Sequence, residues 1–327
     1  MFHLLPKVEL HLHLDCSLSY EVVHELDASI SKEEFEKEFK VPFDCRSLVE
    51  YIKRAQRPIQ LMQTPEQLRL VTLDLFKQLK ADNVVYAEIR FAPLQHLQKG
   101  MTPEEVVKAV NDATVEGIAK YGVEAGIILC TLRHYSEAES LQTVNLAHQF
   151  QNTHVVGFDI AADEAGFPVD NHIKAFQLAH EHNIHCTAHA GEACGPESVW
   201  ETLDVFMPSR IGHGVRSVED ELLLQHLKKH NIHLEVCPTS NIKTGVFESI
   251  EKHSAPKIFA SGVSMSINTD GRTISDATLT EEYELMYKVF QWNIQQLRHC
   301  NFEAIRHSFA NDNIKQKIKQ LIEAAYV

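Results

Sequence analysis

Asn183-Ile-His-Cys-Thr-Ala-His-Ala-Gly-Glu-Ala-Cys-Gly-Pro-Glu-Ser-Val-Trp200 is the stretch whose reading decides the fold. Its first residues, as far as His189, form a short apolar run of the kind that makes a buried strand. Pro196, followed by Glu197, marks the first turn of a helix. Ala190 and Gly191 between them are small, and Gly191 lets the backbone bend sharply. A histidine therefore stands where a strand ends, with a carboxylate, Glu192, three residues on. An imidazole ligand and a nearby proton carrier are two parts of a metal-assisted hydrolytic site.

The same strand-then-helix beat extends in both directions. Apolar runs occur at Lys7–His13, Val84–Phe91, Ala125–Leu132, Val155–Ile160, Ile184–His189, Arg210–His213, His233–Val236 and Val263–Ile267. Helical patterns fill the gaps at 66–80, 104–120, 137–151, 170–181, 196–206, 218–229 and 248–260. Thr64-Pro-Glu-Gln67 and Thr102-Pro-Glu-Glu105 are marked helix starts, each with a Thr cap, a Pro in the first turn and Gln or Glu at the third position. Eight such units predict an α/β fold, a (β/α)₈ TIM-type barrel. A doubly wound open sheet is the alternative, but the glycine-rich phosphate loop expected after its first strand is missing. The spacing predicts one domain over 1–327, closed by helices at 282–298 and 302–325. Segment 42–62 is long for a simple connection and reads as a helical insertion or lid, or equally as an ordinary amphipathic helix on the core.

Composition narrows the function classes. The chain has 327 residues and a formal net charge of 31 − 45 = −14, a poor match for nucleic-acid phosphates. No run of about 18 apolar residues is present, so no membrane span is expected. The seven cysteines are scattered and never spaced Cys-x-x-Cys, which argues against a disulfide framework and fits a reducing, cytoplasmic setting. The first residues, Met-Phe-His-Leu-Leu-Pro-Lys, lack a signal-peptide pattern.

A barrel places its chemistry at the C-terminal ends of its strands. There the sequence has His11 and His13 (first strand), His189 with Glu192 (fifth), His213 in Gly212-His-Gly214 (sixth) and Asp270 in Asn268-Thr-Asp270 (eighth). With twenty histidines, about one His-x-His is expected by chance. His180-Glu-His182 lies in a helical pattern, where i and i+2 diverge, and reads as solvated surface. His11 and His13 are on a strand, where i and i+2 face the same way, so both point into the barrel. Buried imidazoles are costly unless hydrogen-bonded or metallated. A satisfied core histidine accounts for any one of these residues but poorly for the whole set. Three imidazoles and a carboxylate suit Zn²⁺ or a similar divalent ion. The fourth strand runs into Phe158-Asp-Ile-Ala-Ala-Asp-Glu164 without the lysine that bridges two metals in some barrel hydrolases, so one metal per chain is expected.

Pro6-Lys-Val-Glu-Leu-His-Leu-His-Leu-Asp15, Thr187-Ala-His-Ala-Gly-Glu192, Arg210-Ile-Gly-His-Gly214, Glu235-Val-Cys-Pro-Thr-Ser240 and Ser266-Ile-Asn-Thr-Asp270 together resemble the adenosine deaminases, in order and spacing over nearly the whole chain. The His-x-Glu and Pro-Cys-x-x-Cys pattern of other zinc deaminases is absent. The resemblance implies hydrolysis of adenosine and 2′-deoxyadenosine to the inosine form and ammonia. By position it gives His11, His13, His189 and Asp270 to Zn²⁺, protonation of purine N1 to Glu192, and orientation of the attacking hydroxide to His213. Asp15 would meet the ribose 5′-hydroxyl, favouring a nucleoside over a 5′-phosphate; a plain turn aspartate is the alternative.

Three positions depart from the family's commonest form. Cys16 and Ala162 replace glycines, the second of which presents a backbone N–H to purine N3. Gly271 replaces the acid that meets purine N7. Arg272 or an ordered water would supply the missing donor to the purine; Arg272 reads equally as an exposed loop residue. The departures leave open a related substrate, such as methylthioadenosine or adenine. A metallophosphoesterase would want more carboxylate ligands and phosphate-binding loops. A non-catalytic nucleoside-binding protein would have lost ligands that are present here. The partner implied is a small purine nucleoside, and the oligomeric state is not legible.

Overall fold

A computed structural model describes residues 2–326. Eight parallel strands follow one another round the sheet in sequence order. They are β1 (Lys7–His13), β2 (Val84–Phe91), β3 (Glu124–Leu132), β4 (Val155–Ala161), β5 (His185–Ala190), β6 (Arg210–His213), β7 (His233–Val236) and β8 (Met265–Ile267). Helices cover the outer face, which is why the strands are buried on both sides and lack a polar alternation. The expected (β/α)₈ barrel is the fold observed.

β8 is only three residues long, so the ring closes on the chain just past it. Leu12 pairs with Asp270 as an isolated parallel bridge, the His13 N–H donates to the Asp270 carbonyl (2.7 Å), and the Asp270 N–H donates to the His11 carbonyl (3.0 Å). Closure therefore locks the backbone of three site residues together.

The two marked helix starts form as read. Thr64 caps Pro65–Ala81, and Thr102 with Glu105 makes a full capping box on Pro103–Tyr121. The C-terminal helices differ from expectation. Residues 282–298 are broken: one helix runs Leu279–Phe290 and the next Ile294–His307, with Asp312–Ala325 third. Gln291 adopts a left-handed conformation, and Asn293 with Gln296 caps the following helix. That capping chemistry outweighs the continuous apolar pattern. Asn301 on the second of these helices accepts the Val8 N–H at 2.8 Å, and Tyr326 donates to the Pro6 carbonyl at 3.0 Å, tying the C-terminus to β1.

Residues 42–62 hold two short helices, Leu48–Lys53 and Gln56–Gln60. Tyr51 packs with Cys16, Val41, Cys45 and Ile274 in a small cluster apart from the main core. Residues 48–59 of the segment line the C-terminal mouth of the strands, while Leu61 and Met62 join the main core. His180 and His182 correct the expectation of solvated surface: both are half-buried, His180 on the Phe206 carbonyl (2.7 Å) and His182 stacked on His148. Among the described residues no helix is long and apolar enough to cross a membrane.

Candidate active site

His11, His189, His213 and Asp270 each place one potential ligand atom within 4.8 Å of the others. His13 joins them: its Nε2 lies 3.3 Å from His189 Nε2 and 3.4 Å from Asp270 Oδ1. All sit at C-terminal strand ends, where the sequence reading placed them. His11 Nε2 is fully buried with no hydrogen-bond partner, 3.5 Å from Asp270 Oδ1. An orphaned buried acceptor costs on the order of 1–3 kcal/mol. A divalent cation is the group that would satisfy it and the facing lone pairs together, so the donor set fits a metal.

The imidazoles are aimed from behind by charges that the sequence reading did not assign. Glu235 Oε2 takes His11 Nδ1 at 2.9 Å, and Asp159 Oδ2 takes His189 Nδ1 at 3.1 Å. Arg90 bridges the two carboxylates, 2.7 Å from each, and Arg210 binds the other oxygen of Glu235, also at 2.7 Å. Burial alone would raise both acids. The His189 ring and Arg90 hold Asp159 below the usual carboxylate range, and Arg90 and Arg210 do the same for Glu235. As anions they accept the Nδ1–H of each ring, leaving Nε2 with its lone pair toward the site. Ser240 Oγ likewise orients Asp270, donating to Oδ2 at 2.6 Å. The signal in the sequence is a charge inside an apolar strand run, as in Ile89-Arg90-Phe91 and Phe158-Asp159-Ile160. Such a charge must be paired.

Glu192 sits on the loop after β5. Gly191 there has φ +68°, and a Cβ on it would come within 2.6 Å of Val199 Cγ2, so glycine is required twice over. Glu164, from the β4 loop, holds the turn. Its Oε1 accepts from Gly191 N (2.7 Å) and Ser198 Oγ (2.6 Å), and its Oε2 from Glu192 N (3.0 Å), Ala193 N (2.6 Å) and Cys194 N (3.0 Å). The Glu192 side chain is buried, with Oε1 unpartnered and Oε2 3.6 Å from His213 Nε2. Burial first, then the charges of Asp270 and Glu164, raise its carboxyl well above the usual range. Burial thus favours the protonated form of this carboxyl beside the cluster of imidazoles and Asp270.

These groups open into a cavity of about 340 Å³, large enough for a nucleoside. Leu48, Ile52, Ala55 and Ile59 of the 42–62 segment form an apolar wall, and Asp15, Cys16 and Ala162 also line it. Burial raises Asp15 to a pKa of about 6. Ala162, with φ +81°, occupies a conformation that suits glycine better. Positive φ also occurs at His213 (+61°) and Asp270 (+66°), so three strand ends that carry the site hold a strained backbone.

Two expectations are corrected. Arg272 neither reaches the cavity nor lies exposed. Its guanidinium is buried, with Nη2 2.8 Å from both Glu9 Oε2 and Asp82 Oδ2. Two buried carboxylates outcompete a site contact for that charge. Gly271 offers the cavity no side chain, and none fits: a Cβ there would lie 2.6 Å from Cys16 Cβ and 3.0 Å from Tyr51 Oη. Cys16 and Tyr51, the latter hydrogen-bonded to Ser275 at 2.7 Å, occupy the space instead.

Comparisons with known proteins agree with this geometry. The adenosine deaminase family model matches residues 6–325. An adenosine deaminase from Clostridium acetobutylicum is 36% identical over 328 residues, spanning 98% of this chain and 97% of its own length. Another, from Clostridium kluyveri, is 34% identical over 327 residues, spanning 98% and 93%. Among solved structures, an adenine deaminase from Arthrobacter aurescens has a TM-score of 0.89 at 25% identity, covering 98% of both chains. An Arabidopsis N6-mAMP deaminase has a TM-score of 0.87 at 26% identity, covering 99% of both.

Proposed function

The chain belongs to the adenosine deaminase family, and from that premise we propose that it hydrolyses adenosine and 2′-deoxyadenosine at C6, a purine-salvage reaction that releases ammonia. The observation that carries this is the buried, unpartnered Nε2 of His11 among the other imidazoles, next to a Glu192 carboxyl that burial pushes well above the usual carboxylate range. His11, His13, His189 and Asp270 would hold one Zn²⁺. Bound there, the metal supplies a water acidic enough to act as a nucleophile at neutral pH.

Protein groups do the rest. Addition of oxygen to C6 pushes electron density onto N1, and the Glu192 proton meets it there. One proton of the consumed water restores Glu192, the other leaves with the amino group, and inosine keeps its N1–H. His213 faces the incoming oxygen and donates to it as charge develops. The Asp15 carboxylate accepts from the ribose 5′-hydroxyl and, ionised at neutral pH, repels a 5′-phosphate. The Ala162 backbone N–H meets purine N3. Gly271 gives the base no side-chain contact, so that edge of the purine lies against Cys16 and Tyr51. The 42–62 helices cover the substrate as a lid. Free cysteines, six of them buried, suit a cytoplasmic enzyme.

The apolar wall of Leu48, Ile52, Ala55 and Ile59 favours one second reading, a 5′-alkylthio adenosine. Loss of adenine absorbance, followed for adenosine, 2′-deoxyadenosine, methylthioadenosine, adenine and AMP, separates the two. It is run as purified, after chelation and after zinc is restored, with metal counted per chain. Zinc-dependent turnover best on the simple nucleosides is expected, and AMP turnover equal to adenosine's defeats the role of Asp15. Glu192→Gln is expected to keep its metal and lose at least ~100-fold in kcat. Near-normal turnover in that variant would sink the assignment.

A further inference from the structure

Five side chains converge where four were assigned to the metal, and His213 is the extra one. Whether it binds metal or donates a proton is set by which ring nitrogen carries hydrogen. A chain of three hydrogen bonds leading away from it decides this. The Ala255 backbone N–H points at His253 Nδ1, 3.0 Å away. A backbone N–H is only ever a donor, so His253 Nδ1 bears a lone pair and its proton is on Nε2. That Nε2–H meets Asn241 Oδ1 at 3.2 Å. The carboxamide is thereby oriented, with its NH₂ toward His213 Nδ1 at 3.0 Å. His213 Nδ1 must accept, which leaves its proton on Nε2, the nitrogen 3.6 Å from Glu192 Oε2.

His253 and Asn241 are both buried, so water does not compete for these bonds. Phe247 packs against the His253 ring with centroids 4.6 Å apart, holding it in place. The contrast with His11 and His189 is chemical. Those rings are backed by carboxylates, which take the Nδ1–H and leave Nε2 free to bind metal. His213 is backed by an amide donor, which does the reverse.

We propose that Asn241 and His253 are positioning residues that fix His213 as the Nε2–H tautomer, making it a donor into the cavity and keeping it out of the metal's ligand set. The tautomer follows from the geometry alone, while its use in turnover rests on the deaminase reading.

The test is ¹⁵N NMR of the zinc-loaded protein labelled at histidine, with the His213 signals assigned by their loss in His213→Asn. His213 is expected to show a protonated Nε2 and an unprotonated Nδ1. A protonated Nδ1, alone or with Nε2, overturns the proposal. Asn241→Asp is nearly isosteric but replaces the donor with an acceptor, so the proton should move to Nδ1. A tautomer that does not move overturns the role of Asn241. The variant should lose ~100-fold or more in kcat with KM changed by no more than a few-fold, since an imidazole held in the wrong tautomer is a poor donor. Unchanged kcat with a moved tautomer refutes the catalytic use. The wild-type spectrum needs no substrate and no active variant, only a folded His213→Asn protein for the assignment. If no purine is turned over, the deaminase reading fails while the tautomer is still decided.

Discussion

Replacing Glu164 with Gln removes one charge from a residue that touches no metal ligand side chain, yet it should disable the site. The Glu164 carboxylate accepts from four consecutive backbone N–H groups, 191 to 194, and from Ser198. In the Gln variant the amide oxygen keeps the three N–H groups now on Oε2. Each falls from a charge-assisted to a neutral bond, a loss of about 1 kcal/mol apiece. The new NH₂ faces the Gly191 N–H, which loses its acceptor at a further ~1–3 kcal/mol, while Ser198 can turn and accept. The gross loss is thus ~4–6 kcal/mol. Glu164 also borders an open groove lined by Arg133, Glu197 and Glu201, where water replaces part of what is lost. A net ~2–4 kcal/mol of loop order is a fair expectation, equivalent to ~30–1,000-fold in the fraction of molecules that present Glu192 correctly. The metal should stay, because His189 is anchored by β5 and by Asp159. The assay is steady-state deamination alongside metal per chain and thermal melting. A folded, metal-loaded Glu164→Gln protein within threefold of wild-type kcat/KM would refute the idea that this carboxylate positions the loop.

Gly271→Asp should abolish most activity, because its Cβ would press on Cys16 Cβ at 2.6 Å. Adding Cys16→Gly removes that contact and should recover part of kcat/KM, so equal activity in the single and double variants would deny that the two positions are coupled. Glu282 is fully buried with Oε2 unpartnered, and burial raises its pKa to about 8 from an unfolded value near 4.5. Between those pH values the folded state binds more protons, so its contribution is complete below pH ~4.5 and stability falls as pH rises toward 8, by at most on the order of 5 kcal/mol. Glu282→Gln should therefore gain in urea midpoint over wild type from pH 5 to pH 8, and a pH-independent difference would contradict the raised pKa.

The barrel was legible because two periodicities alternate along the chain, and because His189, His213 and Asp270 interrupt apolar runs at the same relative place, the strand end. The two histidines of β1 were legible because strand geometry gives i and i+2 one direction. What was not legible is whatever depends on a partner far away in sequence. Arg90 stands in an apolar run, but nothing local says that its partners are Asp159 and Glu235. Arg272 misled for the same reason. Two residues from Asp270 it read as a purine donor or as an exposed loop residue, whereas its charge is spent on Glu9 and on Asp82, just before β2. Gly271 read as a missing contact until the structure showed Cys16 and Tyr51 already filling its place. The two departures in sequence, a side chain gained at 16 and one absent at 271, are thus one change in space. Neither alone predicts a lost function, because the volume given up by one is taken by the other. His213 makes the same point in chemistry. As a residue at a strand end it is indistinguishable from His189, and only the group behind each ring, Asn241 for one and Asp159 for the other, separates the proposed donor from the proposed ligand.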